Sequence, residues 1–85
     1  MKIYKYRLNF DETTISLPCD AKILDIAIQD NEPVLWAIVD PEKSLEHRYI
    51  HAFYTGQDLK WPQTLEYIKT IINTDGLIYH FFEQK

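Results

Sequence analysis

Apolar and polar residues alternate with a period of two along most of the chain, a pattern typical of half-buried β-strands. The clearest case is Lys2 to Phe10, where Tyr4, Tyr6, Leu8 and Phe10 are predicted to share one face of a strand. Short turn-like stretches rich in Asp, Asn and Pro separate this segment from six others. These others are Thr13 to Leu17, a third strand with Leu24, Ile26 and Ile28 on one face, Val34 to Val39, Arg48 to Tyr54, Leu65 to Ile72, and Leu77 to Glu83.

Two of these segments depart from simple alternation. The run Val34 to Val39 has no polar face, which predicts a strand covered on both sides with Trp36 buried. In Leu65 to Ile72, Leu65, Ile68 and Ile72 fit a helical stripe, whereas Leu65, Tyr67 and Ile71 fit a strand. The β-branched residues favour the strand, and a helix over 65–72 stays the alternative.

Seven short strands within hairpin distance of one another predict an all-β fold, either a small antiparallel β-sandwich or a partly open barrel. Eighty-five residues fit a single domain over residues 1–85. A chain of this length buries only about 60–65% of its unfolded surface, so association into a homo-oligomer is expected to add stability.

Composition excludes several classes of partner. A formal net charge of −4 argues against bulk nucleic-acid binding, which needs a concentrated positive patch. No apolar run approaches the roughly 20 residues of a membrane helix. The first residues carry no apolar signal-peptide core, and the single cysteine, Cys19, is expected to be an inert thiol, so a cytoplasmic location is expected.

Signatures of catalysis are absent from the sequence. It contains no HExxH, phosphate-binding loop, GxSxG or GxGxxG motif. His47 and His51 share a strand face but lie about 13 Å apart, too far to bind one metal ion easily. We therefore expect no enzyme, no metal and no cofactor, and we rank a small hydrolase as the last alternative.

A binding role fits the composition better. Two Trp, six Tyr and four Phe exceed what one small core hides, and Tyr is enriched at interfaces. Arg48 and the turn after its strand offer a guanidinium, an aromatic ring, a hydroxyl and open backbone, which suit a small anionic or nucleotide-like ligand. The candidate ligand-binding residues are Arg48, Tyr54, Thr55, Gly56, Trp61 and His80.

Several segments together resemble a family of small uncharacterised proteins of bacteriophages and prophages. The most specific are Leu35 to Asp40, which reads Leu-Trp-Ala-x-Val-Asp, and the terminal strand that contains Tyr-His-Phe-Phe-Glu at 79–83. The family commonly shows Gly-Thr-Gly-His at the turn after the fifth strand, and in this chain Gln57 stands in place of that histidine. Lys69 likewise stands where the family commonly shows a glycine. The resemblance implies a viral origin and a small β-rich fold, and it supplies no catalytic residues.

These observations lead to a functional hypothesis. Small phage proteins without catalytic motifs commonly block host machinery, so we expect a non-enzymatic binding protein that antagonises a bacterial defence or another host process. Sequestration of a nucleotide-like signalling ligand is slightly favoured over blocking a host protein surface. The alternative is a structural or accessory phage protein that acts through β-strand and aromatic contacts.

Overall fold

The structure, a computed structural model, describes residues 1–85 and contains seven β-strands. The only helical segment is one 3₁₀ turn, η1 (Pro62–Thr64), and no helix is long and apolar enough to cross a bilayer. The strands are β1 (Lys2–Arg7), β2 (Glu12–Pro18), β3 (Lys22–Gln29), β4 (Glu32–Val39), β5 (Leu45–Tyr54), β6 (Leu65–Ile72) and β7 (Ile78–Gln84).

The strands form two antiparallel sheets. A three-stranded sheet has the order β1-β4-β3, and a four-stranded sheet has the order β2-β5-β7-β6. Twelve buried residues from both sheets and their connections make one core, with Leu17, Leu35 and Phe81 fully buried at its centre. The prediction of a small all-β sandwich is confirmed, whereas the two sheets do not close into a barrel.

Strand β1 ends earlier than the alternation predicts, at Arg7 instead of Phe10. Opposite the next residue lies Pro33, whose carbonyl accepts a 2.9 Å hydrogen bond from the Leu8 N–H. Because proline has no N–H, it returns no bond to Leu8, and the ladder stops there. The chain then crosses to the other sheet, and Leu8 and Phe10 still pack on or into the core.

Strand β3 contains a bulge that overturns one predicted face. Ile23 and Asp25 pair with the consecutive residues Ala37 and Trp36, so Leu24 is the extra residue. A bulge shifts the two-residue period by one position, which turns Leu24 outward and leaves it 43% exposed. The prediction that Leu24 shares the inward face of Ile26 was therefore wrong.

A second bulge explains the ambiguous segment at 65–72. The register of β6 against β7 shifts between Tyr67 and Lys69, so Ile68 is the extra residue. The shift places Ile68 and Ile71 against the core although they are three residues apart, a spacing that imitates a helix. The strand prediction is confirmed and the helical alternative was wrong.

Strand β4 is buried more strongly on one face than on the other. Leu35, Ala37 and Val39 are fully buried, whereas Trp36 and Ile38 on the opposite face are only partly covered. On that second side of β4 the Lys5 ammonium donates a 2.7 Å hydrogen bond across the strand to the Gln29 side chain. The predicted complete burial of Trp36 was therefore wrong, because no second layer covers this side of the sheet.

Candidate functional site

The solvent-facing side of the four-stranded sheet concentrates aromatic and imidazole side chains. Ile50 and Ala52 of β5 are buried in the core, so the alternate residues of that strand face outward. In β7 the buried residues are Tyr79, Phe81 and Glu83, which directs their neighbours outward in the same way. We call this surface the outer face, and its central members are Tyr49, His51, Phe53, Tyr67, Thr70, His80 and Phe82.

Aromatic rings contact one another across three strands of the outer face. The Phe82 ring centroid lies 5.8 Å from that of Phe53 and 5.6 Å from that of Tyr67, both in edge-to-face geometry. His51 stacks at 6.0 Å from Phe53. Such pairs hold each other's orientation and contribute about 0.5–1.5 kcal/mol each beyond burial. The outer face is therefore a preorganised apolar surface, of which Tyr49 is 48% and Tyr67 58% exposed.

A chain of hydroxyl groups and one imidazole runs along the same surface. The Thr55 hydroxyl lies 2.8 Å from Nε2 of His80, and the Thr70 hydroxyl lies 2.9 Å from Nδ1 of the same ring. The Tyr67 hydroxyl continues the chain to Thr70 at 2.8 Å. Because hydroxyl groups both donate and accept, they can pair with either tautomer of the His80 ring.

The Thr55–His80 pair resembles a nucleophile beside its base but lacks a further requirement of that chemistry. In the usual arrangement a carboxylate holds the second imidazole nitrogen and stabilises the imidazolium that forms. Here the second nitrogen faces the neutral Thr70 hydroxyl. The arrangement orients the His80 ring through both of its nitrogens and leaves the hydroxyl groups at the surface.

The loop between β5 and β6 borders the outer face. Gly56, with φ of 90°, allows the turn that closes through a 3.2 Å hydrogen bond from the Gln57 N–H to the Tyr54 carbonyl. Further along, Trp61 adopts a left-handed backbone with φ of 52°, and the Thr64 N–H and hydroxyl both donate to its carbonyl at 3.0 and 2.9 Å. This strained conformation holds a 57% exposed indole beside the sheet.

A cleft of about 310 Å³ separates this loop from the outer face. Its walls combine aromatic rings with three carboxylates and a single ammonium group, so an anionic ligand meets net negative charge there. One of the carboxylates, Glu12, lies 3.8 Å from Nδ1 of His51. The lining residues are Asp11, Glu12, His51, Ala52, Phe53, Gln57, Asp58, Lys60, Trp61 and Leu65.

Arg48 does not belong to this site. Its side chain points to the core side of β5, where Nε and Nη2 donate to the two carboxylate oxygens of Glu83 at 2.5 and 2.7 Å. Nη1 donates to the Ala21 carbonyl at 2.5 Å. Tyr54 also lies six positions further along the strand, about 20 Å away. The interpretation that Arg48 and the turn 54–57 sit together was wrong, and the guanidinium is occupied within the fold.

Burial and pairing act in opposite directions on Glu83. Burial alone would raise the pKa of this carboxyl, but the hydrogen bonds and charge of Arg48, helped by Lys85, hold the pKa below its ordinary value. The hydrogen bond to Glu83 is the main reason why the pKa of Arg48 is raised. The pair therefore stays ionised in the folded protein at neutral pH.

We expect the pair to make folding stability depend on acid pH. A carboxyl whose pKa is lowered by folding stabilises the protein above its unfolded value of 4.5 and loses that effect as the pH falls through the folded value. Urea unfolding measured from neutral pH to below pH 4.5 is expected to show a smaller acid loss for Glu83→Gln than for the wild type.

Asp25→Asn is the matched control for that titration. Lys69 also lowers the pKa of Asp25 through a 2.7 Å hydrogen bond, but both side chains are more than two-fifths exposed. Solvent screening keeps such a pair weak, so this variant should follow the wild-type profile closely. An equal acid loss in the wild type and Glu83→Gln would contradict the assignment to Glu83.

The six predicted binding residues divide into three groups. His80 lies on the outer face with Thr55 bonded to it, and Gly56 and Trp61 belong to the bordering loop. The Tyr54 ring instead lies 5.5 Å from Tyr79, whose own ring lies 4.6 Å from Phe10 at one end of the core. Arg48 is buried in its ion pair.

Sequence reasoning missed most of the aromatic residues of the outer face. Phe53 and Phe82 were read only as strand residues, and Tyr67 and Thr70 lay in the ambiguous segment. The available signal was the phase of β7, in which Tyr79, Phe81 and Glu83 alternate with His80 and Phe82. Only one of these two sets fits inside a two-layer core, so the other must face solvent.

The three histidines lie on the outer face without forming a metal centre. His47 contacts the Ser16 hydroxyl at 3.3 Å, and His51 contacts the Gln84 side chain at 2.9 Å. No group of three or more His, Cys, Asp or Glu side chains has a geometry that holds a metal ion. Each imidazole is instead bonded to a neighbouring polar side chain.

Comparison with known proteins places the chain in a family. No curated protein and no solved structure matches it. A family model described as Domain of unknown function (DUF7352) matches residues 1–85, the whole of the sequence. The chain therefore belongs to the DUF7352 family.

Proposed function

We propose that the protein is a non-enzymatic binding module that recognises a partner protein through the outer face of its four-stranded sheet. The observation that carries this proposal is the continuous set of ring contacts joining His51, Phe53, Phe82 and Tyr67 on a solvent-facing surface. The half-buried phenylalanine rings hold this surface in place, and Tyr49 and Tyr67 are its exposed rings, at 48% and 58%. Tyrosine is among the residues enriched at protein interfaces.

The charges around the outer face favour a protein over a nucleotide. A nucleotide-like ligand needs cations for its phosphates, but Arg48 is held by Glu83 and the cleft contributes only Lys60 against three carboxylates. A protein surface with apolar and basic groups complements the same features. Sequestration of a nucleotide-like ligand therefore becomes the second candidate.

The biological setting of the proposal comes from the resemblance to phage and prophage proteins. On that basis the module acts in the cytoplasm of an infected bacterium and antagonises a host defence or another host process. It does so by occupying the surface of a host protein. The accessory role within a phage assembly would use the same kind of surface with a viral partner.

A paired-variant affinity experiment tests the proposal. Tyr49→Thr/Tyr67→Thr removes two exposed rings from the outer face while keeping strand-favouring residues. Tyr4→Thr/Leu24→Thr removes two exposed apolar side chains from the other sheet and is the control. Tagged wild type and control, purified from infected cells, are expected to retain one partner protein in constant proportion. The outer-face variant is expected to bind that partner at least tenfold more weakly, which corresponds to about 1.4 kcal/mol of binding free energy.

Native mass spectrometry of the same samples separates the candidates. A complex with a protein mass supports the proposal, whereas a gain of a few hundred daltons on the free chain would favour the nucleotide-like ligand. Circular dichroism of both double variants must match the wild type. A partner retained by the outer-face variant and lost by the control would overturn the assignment of the surface.

A further inference from the structure

Strand β1 is an open edge of the three-stranded sheet. It pairs with β4 alone, and five of its six residues are exposed, including Ile3 at 62%. The remaining residue, Tyr6, packs against the margin of the core. One side of β1 therefore has no hydrogen-bonding neighbour.

The backbone groups on that open side are identified by the register. The Leu8 N–H donates to the carbonyl of Pro33 directly opposite, and in an antiparallel ladder alternate residues bond to the same partner strand. Lys2, Tyr4 and Tyr6 thus face β4 with their N–H and C=O groups. Ile3, Lys5 and Arg7 direct theirs away from the sheet.

The side chains of β1 give this edge a distinct charge. Its sequence, KIYKYR, holds three of the chain's nine basic residues and no acidic one, although the whole chain carries −4. Lys5 is bonded to the neutral Gln29, and Arg7 contacts Glu32 through Nε while remaining 78% exposed. Ile3 lies on the same side of the sheet as these two cations, because successive side chains alternate.

The other three edges are less open to an added strand. β3 and β6 lie against each other, joined by the 2.7 Å contact of Lys69 with Asp25. The turns that follow these two strands also meet, through the contact of Thr74 with Asn31. β2 ends in Pro18, which cannot donate to a ladder, and carries one acidic residue. Only β1 combines free backbone groups with a run of positive charge.

We propose that the open edge of β1 binds an extended acidic segment of a partner protein, which adds as a fourth strand to the three-stranded sheet. The segment would supply backbone bonds to Ile3, Lys5 and Arg7, and alternate acidic side chains to Lys5 and Arg7. A second copy of this chain fits poorly, because β1 against β1 brings six basic side chains together. This site is separate from the outer face, so the result of its test does not depend on the proposed function.

A peptide titration tests the proposal directly. The probe is a capped peptide of about seven residues that alternates aspartate with valine, long enough to span β1. The control peptide carries lysine in place of aspartate. Binding of the acidic peptide is expected to be saturable and to weaken roughly tenfold between low and high salt, since the charges are exposed. The basic peptide is expected not to bind.

Amide hydrogen exchange followed by NMR locates the peptide. In the free protein the Ile3, Lys5 and Arg7 amides are expected to exchange fast and those of Tyr4 and Tyr6 slowly. The acidic peptide should slow the first set at least tenfold and leave the second set unchanged. Failure to bind, or binding without protection of these three amides, overturns the proposal. Protection that appears with rising protein concentration alone would assign the edge to self-association instead.

Two variants of Lys5 distinguish the contribution of its backbone N–H to peptide binding from that of its side-chain charge. Lys5→Pro removes an N–H that points away from the sheet and keeps the hydrogen bonds to β4. Edge strands tolerate proline at such a position. Lys5→Ala keeps that N–H and removes only the charge. The proline variant is expected to lose peptide binding and the alanine variant to weaken it several-fold. Equal binding by the wild type and a folded Lys5→Pro protein overturns the proposal, and if that variant unfolds, the exchange pattern of the wild type decides.

Discussion

Replacing Arg48 with alanine is expected to lower the free energy of unfolding by about 3–5 kcal/mol, because it leaves a buried charge without its partner. Glu83 is only 6% exposed and receives two of its hydrogen bonds from that guanidinium. The Ala21 carbonyl would also lose its bond from Nη1. Since small domains are stable by about 5–15 kcal/mol, urea denaturation at neutral pH should show a large shift of the midpoint.

Two control variants isolate the cause of that loss. Lys69→Ala breaks the exposed pair with Asp25 and should cost less than about 1 kcal/mol. Arg48→Met/Glu83→Leu removes both charges and should be more stable than Arg48→Ala, because no unpaired charge stays buried. An unfolding midpoint of Arg48→Ala equal to that of the wild type would show that the pair does not stabilise the fold.

Strand periodicity predicts part of the structural role of Arg48. Alternation within β5 already places Arg48 in phase with Ile50 and Ala52, and alternation within β7 places Glu83 in phase with Tyr79 and Phe81. Two opposite charges on inward-facing positions are expected to pair. What the sequence does not contain is the adjacency of β5 and β7, since β6 lies between them in the chain.

The bulges mark a second limit of prediction from sequence. Period-two reasoning located seven strands but assigned Leu24 to the wrong face and left a helix over 65–72 as an alternative to the strand, because an extra residue changes the phase within a strand. No feature of the local sequences Ile23-Leu24-Asp25 and Tyr67-Ile68-Lys69 indicates that one residue is extra. The partner strands impose it, and they are known only once the sheets are assembled.

The outer face was only partly predictable for the same reason. His80 and Trp61 were identified from residue type, and Thr55 and Gly56 from the turn, but their neighbours Phe53 and Phe82 come from strands that meet only in the folded sheet. Composition indicated that some aromatic rings must be exposed. The arrangement of the strands decides which ones.

Adjacent phenylalanines on opposite faces of β7 provide the sharpest test of this architecture. Phe81→Ala is expected to cost about 3–5 kcal/mol, because the ring is fully buried at the centre of the core and its loss leaves a cavity. Urea or thermal denaturation should find this variant largely unfolded or strongly destabilised.

Phe82→Ala changes the same residue type one position further on but removes a ring of the outer face. It loses two edge-to-face contacts, with Phe53 and Tyr67, worth about 0.5–1.5 kcal/mol each, and leaves the core intact. This variant is expected to fold, to unfold at a moderately lower urea concentration, and to lose affinity for the partner of the outer face. If Phe82→Ala destabilised the protein as much as Phe81→Ala, the outer face would act as a second core, and its rings would serve folding instead of recognition.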